Sequence, residues 1–479
     1  MSTDSPSPAA RVPRGMALLV GLLVVAVALA SLQHVRPSRF YTLLARGDEQ
    51  RAGYLYLSAA ESYQQAAQLD SRDPEALLRL GEVYLELQQY PAAVEAFAAA
   101  SQRGGNTPAV HSGMARALQG HGDFAGAVYN WQQLIAQQPD DVQARLGLAS
   151  TWLAQENWGQ AQLALNEVLV VQPDSATAHF SLGQLAALDD PDSARLHLHA
   201  ARLDPAYEAA ARQWLDALAD SDDDAYRAAR LGRLSLAEGS LGMARRALEQ
   251  AVALNPAYGE AHAYLGHVLD RSGDDGAAYL AKAVELAPDS VVAHYLWGLH
   301  LRQNGDPAAA RAEFEAALAR DPSNPALMVE IGLCVLQGSQ TIEDYVEGES
   351  WLVKAAETEP DNSAWAKQLA HYYLDTMISV EEKGLPSAQE AARLAPGDAE
   401  AYDLLGWAYY LTSRFPAAYA ELQHALELNP RSALAHYHMS AVWVALKQPE
   451  QARQSAERAA SLDPAGELGR RAREKALSE

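Results

Sequence analysis

Cysteine is nearly absent from this sequence of 479 residues. With Cys334 alone, neither an intramolecular disulfide nor a zinc site built on cysteines can form. Cys334 lies in the apolar stretch IGLCVL, and this setting predicts a buried thiol with no nucleophilic role.

Catalytic and nucleotide-binding motifs are absent as well. The sequence has no P-loop, no dinucleotide-binding glycine run, no HExxH zinc motif and no Ser nucleophile elbow. A tail, an apolar segment and repeats account for every long stretch, so no room remains for a separate catalytic domain. We therefore predict a protein that is not an enzyme and has no cofactor, no metal site and no small-molecule substrate.

Positive charge is scarce. The sequence has 37 Lys and Arg against 61 Asp and Glu, which gives a formal net charge of -24. A surface this acidic repels phosphate backbones, so we do not expect nucleic acid as a partner.

An uncharged apolar segment lies near the N terminus. Residues 1–15 form a tail rich in Ser, Pro and Ala that we predict to be disordered. Residues 16–32, MALLVGLLVVAVALASL, would span about 25 Å as a helix, which is enough for a bilayer core. A retained signal-anchor, a cleaved signal peptide ending near Ala28-Leu29-Ala30, and a buried soluble helix are the three interpretations. The length of the apolar run favours the signal-anchor, and the lack of a polar face speaks against the buried helix.

The expected location is a bacterial cell membrane, which the chain would cross once. The side on which the bulk of the chain lies stays open. Positive charges favour a cytoplasmic C-terminal side, because the arginines that follow the segment outnumber those before it: Arg11 and Arg14, then Arg36, Arg39, Arg46 and Arg51. Long domains cross the membrane largely regardless of their charge, and a short basic tail before an apolar run is typical of an export signal. We therefore favour an extracytoplasmic bulk domain.

Two amphipathic helices joined by a tight turn recur from about residue 40 onward. A proline closes each unit, and most neighbouring prolines are about 34 residues apart: Pro139, Pro173, Pro205, Pro256, Pro288, Pro322, Pro360, Pro396, Pro430 and Pro464. A glycine stands one-third of the way along the first helix, where only a small residue lets the second helix approach: Gly81, Gly183, Gly232, Gly266, Gly298, Gly332 and Gly406.

This period and pattern resemble the tetratricopeptide repeat family. The unit from Ala399 matches the family's positions at Tyr402, Leu405, Gly406, Tyr409, Ala418, Leu422, Ala425 and Pro430. The resemblance implies an all-α fold, a right-handed superhelical solenoid of stacked antiparallel helix pairs, after one transmembrane helix. We count about twelve units, which start near residues 40, 74, 108, 142, 176, 225, 259, 291, 325, 363, 399 and 433.

Departures from the period divide the chain. The surplus between Pro205 and Pro256 predicts an extra helix and an acidic turn at 206–224, between an N-terminal array (38–205) and a C-terminal array (225–465). Extra residues at 341–347 and 378–386 are expected to protrude from one edge as loops. Residues 466–479 are predicted to form a polar capping helix, which an open stack needs at its end.

Histidine recurs at one position of the repeat: His111, His179, His262, His294 and His436. The family usually has an aromatic packing residue there. We therefore interpret these side chains as half-buried packing residues and not as metal ligands.

The resemblance also implies where a partner would bind. The first helices of such a stack line its concave wall, and here that wall is aromatic and aliphatic with few charges, which is typical of a groove for other proteins or peptide segments. The candidate groove residues are Tyr295, Leu299, Leu333, His371, Trp407, Tyr410 and Tyr437. We expect the rigid aromatic side chains to be the anchors.

Together these observations predict a membrane-anchored repeat scaffold that mediates protein–protein interaction without catalysis. The alternative is a regulatory or assembly subunit of an enzyme complex of the cell envelope or of secretion, for example one associated with a glycosyltransferase.

Overall fold

The chain is helical throughout the residues that the structure, a computed structural model, describes: 39–219, 223–339 and 341–478, with side chains up to 474. Twelve antiparallel helix pairs and two single helices lie in these ranges, which contain no strand. The first helices of the pairs are α1 (Arg39–Ala52), α3 (Glu75–Glu86), α5 (Pro108–His121), α7 (Val142–Ala154), α9 (Ala176–Ala186), α12 (Asp224–Ala237), α14 (Gly259–Ser272), α16 (Val291–Gln303), α18 (Pro325–Gln337), α20 (Ser363–Thr376), α22 (Ala399–Leu411) and α24 (Ala433–Ala445).

Each first helix has a second helix that returns beside it. The second helices are α2 (Tyr56–Leu69), α4 (Tyr90–Gly104), α6 (Phe124–Gln137), α8 (Trp158–Val171), α10 (Pro191–Ala201), α13 (Leu241–Leu254), α15 (Ala277–Leu286), α17 (Pro307–Leu318), α19 (Ile342–Thr358), α21 (Leu385–Leu394), α23 (Phe415–Leu428) and α25 (Pro449–Leu462). The two single helices are α11 (Glu208–Ala219) and α26 (Glu467–Ser478). The prediction of an all-α stack of helix pairs is confirmed, and every predicted unit start lies within one residue of its first helix.

Local sequence explains where these helices begin and turn. Asp306 and Ser432 precede α17 and α24, and their side chains accept hydrogen bonds from backbone N–H groups of the first turn. In most of the hairpins the turn passes through a residue with left-handed backbone. Gly305 has this conformation at φ 82°, and Ser413 adopts it at φ 59° between α22 and α23.

A glycine on the first helix lets the second helix pack closely against it. A Cβ atom at Gly298 would lie 2.6 Å from Cε1 of Phe314, and one at Gly406 would lie 2.6 Å from Cγ of Leu422. Phe314 and Leu422 are fully buried, so neither side chain can move aside cheaply. The prediction that this position requires a small residue is confirmed.

The single helix α11 joins two parts of the stack. Its Trp214 is buried, and the indole N–H donates to Oε1 of Glu238, at the end of α12, over 2.8 Å. The other oxygen of Glu238 accepts from the amide of Gln184 on α9 over 2.7 Å. Burial raises the pKa of Glu238, although both hydrogen bonds act against this rise. These contacts hold the turn after α12 against the hairpin that precedes α11.

The two insertions predicted as loops have regular structure instead. Residues 341–347 begin α19, which has 17 residues and is longer than the other second helices of the described chain. Thr341 and Asp344 form a capping box there, which favours a helical start over a loop. Residues 378–386 contain a π-helical turn, Val380–Gly384, and the start of α21.

The first hairpin contacts the last hairpin. The backbone N–H of Tyr56 donates to Oγ of Ser461 over 3.1 Å, and the N–H of Ser58 donates to Oε1 of Glu457 over 2.9 Å. Both donors belong to the first turn of α2, whose N-terminal flanking residue, Leu55, supplies no side-chain cap. Helix α25 therefore supplies the cap, and its carboxylate lies at the favourable positive end of the α2 dipole.

The end of α1 has a complementary contact with the same helix. Nε of Arg458 donates to the carbonyl oxygen of Gly53 over 2.9 Å, beyond the last residue of α1. Arg431, before α24, lies 3.7 Å from a carboxylate oxygen of Glu86 and over the ring of Tyr54. The two ends of the described stack are thus in contact. Helix α26 packs on α25, with Ala472 fully buried.

The predicted tail (1–15) and membrane segment (16–32) lie outside the described residues. Among the helices of the described ranges, none has both the length and the apolar character needed to cross a membrane. The acidic turn lies partly in the undescribed residues 220–222. The division into an N-terminal and a C-terminal array stays a prediction.

We expect Gly298→Ala to lower the free energy of unfolding by about 1–3 kcal/mol, because the added methyl group must displace the buried ring of Phe314. Urea denaturation followed by circular dichroism measures the effect. Gly159→Ala, near the start of α8, is the matched control, since a Cβ atom there meets nothing within 4 Å. We expect the control to change stability by less than about 1 kcal/mol. Equal effects of both substitutions would contradict the close-approach explanation.

Candidate functional site

The seven predicted groove residues all lie on first helices, between α16 and α24, and all are half-buried. Three of them pack between helices. The ring centroid of Tyr295 lies 5.9 Å from that of Phe314, and Leu299 contacts the same buried cluster. Leu333 packs against a cluster that contains Leu352 and Tyr373. These three side chains therefore contribute to packing as well as to the surface.

Trp407 and Tyr410 form an aromatic stack with His438, a residue that the sequence-based prediction missed. The ring of Trp407 lies 4.7 Å from Tyr410, with 9° between the planes, and 4.2 Å from His438, with 12° between the planes. Trp407 and Tyr410 are on α22, whereas His438 is on α24 of the next hairpin. Both faces of the indole are covered, so the exposed part of Trp407 is its edge.

A buried carboxylate holds the histidine of this stack. The oxygens of Asp403 lie 3.0 and 3.1 Å from Nδ1 of His438, and both residues are buried. A carboxylate accepts, so Nδ1 carries the hydrogen of this bond. Asp403 and Trp407 are four residues apart on one face of α22. Asp403 thus fixes the ring of His438 at one end of the aromatic stack, and Asp403 lies on the same helix as Trp407.

Charged residues extend the same face of α22 toward its start. Nζ of Lys367 donates to Asp398 over 2.8 Å and also to Glu400, whose other oxygen lies 3.3 Å from Nε2 of His371. Partial burial acts to lower the pKa of Lys367, but the hydrogen bonds with both carboxylates outweigh it and raise the pKa. His371 is thus held in a polar cluster next to the aromatic stack.

Tyr437 connects this region to the end of the stack. Its ring centroid lies 6.2 Å from that of His438, and its side chain packs against Ala459, Ala460 and Ala472. Leu57 of α2 belongs to the same cluster. Four of the seven predicted residues, His371, Trp407, Tyr410 and Tyr437, therefore lie along three consecutive hairpins.

Sequence reasoning missed His438 and the role of Asp403 for a specific reason. The two residues are 35 apart, and they meet only because consecutive hairpins stack in register. The signal that could have found them is a carboxylate on an apolar helix face that needs a partner from the next unit.

The repeated histidines are hydrogen-bonded packing residues. In four units, Nε2 of the histidine lies 2.9–3.1 Å from the carbonyl oxygen of the proline six residues earlier, which closes the preceding unit: His179, His262, His294 and His436. A carbonyl only accepts, so Nε2 carries the hydrogen. Each bond ties the start of one hairpin to the end of the previous one, which explains why histidine can replace an aromatic residue there.

Three side chains with metal-ligating atoms lie together elsewhere in the described residues, although no metal site is predicted from the sequence. Ligand atoms of Asp270, Asp275 and His300 lie within 4.8 Å of one another. One oxygen of Asp270 accepts from the N–H of Gly276 over 2.9 Å, and the other lies 2.8 Å from Nδ1 of His300. Both oxygens thus have protein partners, and the cluster joins two hairpins through hydrogen bonds.

Cys334 is buried, as its apolar surroundings predict. Burial raises the pKa of its thiol to about 11. The thiolate needed for nucleophilic chemistry is therefore scarce at neutral pH.

Comparison with known proteins identifies the repeats. Family models described as tetratricopeptide repeats match residues 43–117, 118–188 and 295–362. No curated protein matches the chain. Three solved structures are similar to this chain at low identity.

The first is yeast Tom70, with 16% identity over 92% of this chain and 95% of that one, at a TM-score of 0.44. The second is the Cut9–Hcn1 hetero-tetramer of APC/C, with 14% identity, 94% and 99% coverage, and a TM-score of 0.40. The third is YrrB, described as having an unusual peptide-binding site, with 20% identity, 41% and 97% coverage, and a TM-score of 0.31.

The repeated histidine predicts a dependence of stability on pH. Burial lowers the pKa of His436 from 6.5 to about 4, although the hydrogen bond to Pro430 acts against this. Between these two values the unfolded chain binds more protons than the folded chain, so stability falls as pH decreases from 6.5 to 4. The loss should be on the order of 3 kcal/mol.

We expect His436→Gln, whose amide can still donate to Pro430, to make the urea midpoint depend less on pH in this window. His121→Gln removes a titratable side chain that is exposed, and it is the control. If the two variants show the same pH dependence as each other, the burial of His436 is not the cause.

Proposed function

We propose, from the premise that this chain contains tetratricopeptide repeats, that it is a membrane-anchored scaffold without catalytic activity. It binds a protein partner, as an extended segment or a helix, on the surface around Trp407. The observation that carries the proposal is the aromatic stack of Tyr410, Trp407 and His438.

This surface has the properties of an anchor site for a peptide. Aromatic side chains dominate the energetics of protein interfaces when they are held rigidly, because little conformational entropy is lost on binding. The stack is held on one side by Asp403, and Glu400, on the same face of α22, belongs to a polar cluster with His371. An apolar centre with hydrogen-bonding groups at its margin favours a peptide segment over a purely apolar ligand.

The remaining predicted residues extend the proposed groove along the first helices. Tyr437 lies next to the stack, whereas Tyr295, Leu299 and Leu333 lie on hairpins that precede it along the chain. Since neighbouring first helices are roughly 10 Å apart, an extended peptide of about 10 residues could contact several hairpins.

Residues 16–32 supply the proposed anchor. They carry no charge and precede α1 by only a few residues, so the stack would begin close to the bilayer. We place the chain in a bacterial cell membrane with its bulk on the extracytoplasmic side. Support for this side comes from the short basic tail before an apolar run.

Trp407→Ala should weaken partner capture by roughly 30-fold, because truncation of an aromatic anchor that the partner covers removes about 2 kcal/mol of binding free energy. The measurement is crosslinked capture of partners from the source cell with residues 38–479, followed by titration of the captured protein. Leu203→Ala changes an apolar side chain that is 85% exposed and far from the stack, and it is the control. Tyr437→Ala is a second test variant in case loss of Trp407 disturbs folding. Unchanged capture by both folded test variants would refute the assignment.

Membrane attachment is tested separately. We expect the full chain to stay in the membrane fraction after an alkaline carbonate wash, and the chain without residues 1–37 to be released. Protease added to intact cells should degrade the repeats if they lie outside the cytoplasm. Release of the full chain by carbonate would rule out an integral anchor, and protection from protease would reverse the proposed side.

A further inference from the structure

The two insertions of the repeat form one exposed edge. We call it the insertion edge and define it by residues 342–346, in the first turn of α19, and 377–382, between α20 and α21. The first segment follows the connection between the two helices of its hairpin, and the second forms that connection in the next hairpin, so both lie on the same edge of the stack. The hydroxyl of Tyr372 donates to the carbonyl oxygen of Tyr345 over 3.0 Å, and that of Tyr373 donates to Glu349 over 2.8 Å.

The insertion edge exposes apolar side chains that the stack does not use. Glycines Gly332 and Gly348 meet where α18 and α19 cross, and Leu352 fills the interior that lies beyond them. This contact starts more than one turn into α19, so the first turn lies outside the crossing with α18. The exposed apolar side chains and their exposed fractions are Ile342 (78%), Tyr345 (36%), Val346 (60%), Met377 (61%) and Ile378 (38%).

Acidic residues lie within or beside the same two segments. Glu343, Asp375 and Glu382 are exposed, and neither Glu343 nor Glu382 forms an ion pair within the described ranges. The neighbouring cations are already paired: Lys383 with Glu349, and Arg414 with Glu381. The rim of the apolar patch therefore carries unbalanced negative charge.

The ion pairs also fix the position of the edge. Arg311 of the preceding hairpin contacts Glu347 over 2.7 Å, and Arg414 of the following hairpin contacts Glu381 over 2.7 Å. The added segments are thus tied to the hairpins on both sides, so the apolar side chains form a preorganised surface.

We propose that the insertion edge binds a basic amphipathic helix of a partner protein. Apolar side chains of such a helix would cover Ile342, Val346 and Met377, and its Lys and Arg residues would pair with the acidic rim. Charge argues against the other occupants. A second copy of this chain would bring two acidic rims together, and an anionic membrane surface would be repelled.

This surface is independent of the groove around Trp407. It requires neither the membrane anchor nor the proposed peptide site, because its residues lie at the turns of the hairpins and not on the face of α22 that carries the stack.

A direct test uses a synthetic fluorescent helix of about 18 residues, with leucines on one face and lysines on the other, titrated against the full chain. Ile342→Gln combined with Val346→Gln should raise its Kd at least about tenfold, because both apolar contacts are lost without a change in charge. Val170→Gln replaces a residue of α8 that is 83% exposed, and it should leave the Kd unchanged. Circular dichroism and thermal melting confirm that each variant is folded.

The charge contribution is tested with a second pair of variants. Glu343→Gln with Glu382→Gln should weaken binding and reduce its dependence on salt. The control is Glu95→Gln with Asp216→Asn, which removes the same charge from exposed positions on α4 and α11. Equal effects of the two pairs would show nonspecific attraction to an acidic protein and would overturn the proposal.

Three further results would also overturn it. The first is equally tight binding of a peptide that has glutamate in place of lysine. The second is binding of phosphatidylcholine vesicles, and not of the peptide, through Ile342 and Val346. The third is a dimer of the chain that these substitutions dissociate, which would make a second copy the occupant.

Discussion

The fold depends on the close crossing of two helices at a glycine of the first and a large buried side chain of the second. At Gly298 and Gly406 a single methyl group would collide with Phe314 or Leu422. Because the approach is so close, the second helix shields one face of the first helix and leaves the opposite face free. The aromatic stack around Trp407 lies on the first helices α22 and α24 for this reason. Where α18 and α19 cross, Gly348 lies against Gly332, and the large buried side chain, Leu352, comes about one turn later in α19. The extra turn that precedes it forms part of the insertion edge.

Contact between the ends changes how such a stack can behave. In an open array each repeat contacts only its neighbours, and the terminal repeats fray first. Here α25 supplies the hydrogen-bond partners for the start of α2 and for the carbonyl of Gly53. The first and last hairpins therefore stabilise each other. Tyr437 packs on the cluster that includes Leu57 and lies beside His438, so it connects this junction structurally to the aromatic stack.

The periodic part of the structure was accessible from sequence, because each hairpin repeats the same local rules. The proline spacing and the small residue of the first helix located all twelve hairpins within the described ranges. What could not be predicted depends on relations between hairpins. The pair of Asp403 and His438 can be predicted only if the register of two stacked units is known. The contact of Glu457 with α2 can be predicted only if the rotation accumulated over all the hairpins is known. The added turn of α19 looked like a loop because spacing alone does not reveal a capping box.

The two proposed surfaces differ in what they can recognise. The faces of the Trp407 ring are occupied by Tyr410 and His438, so a partner meets the ring edges. An aromatic edge is the positive part of the ring quadrupole, and the indole N–H is a donor, so this surface is complementary to carbonyl and carboxylate oxygens. The insertion edge presents aliphatic side chains within an acidic rim, which repels carboxylates and attracts cations. An extended segment with exposed carbonyl groups suits the first surface, and a basic helix suits the second. The two surfaces therefore select different ligands, because neither surface is complementary to the other's ligand.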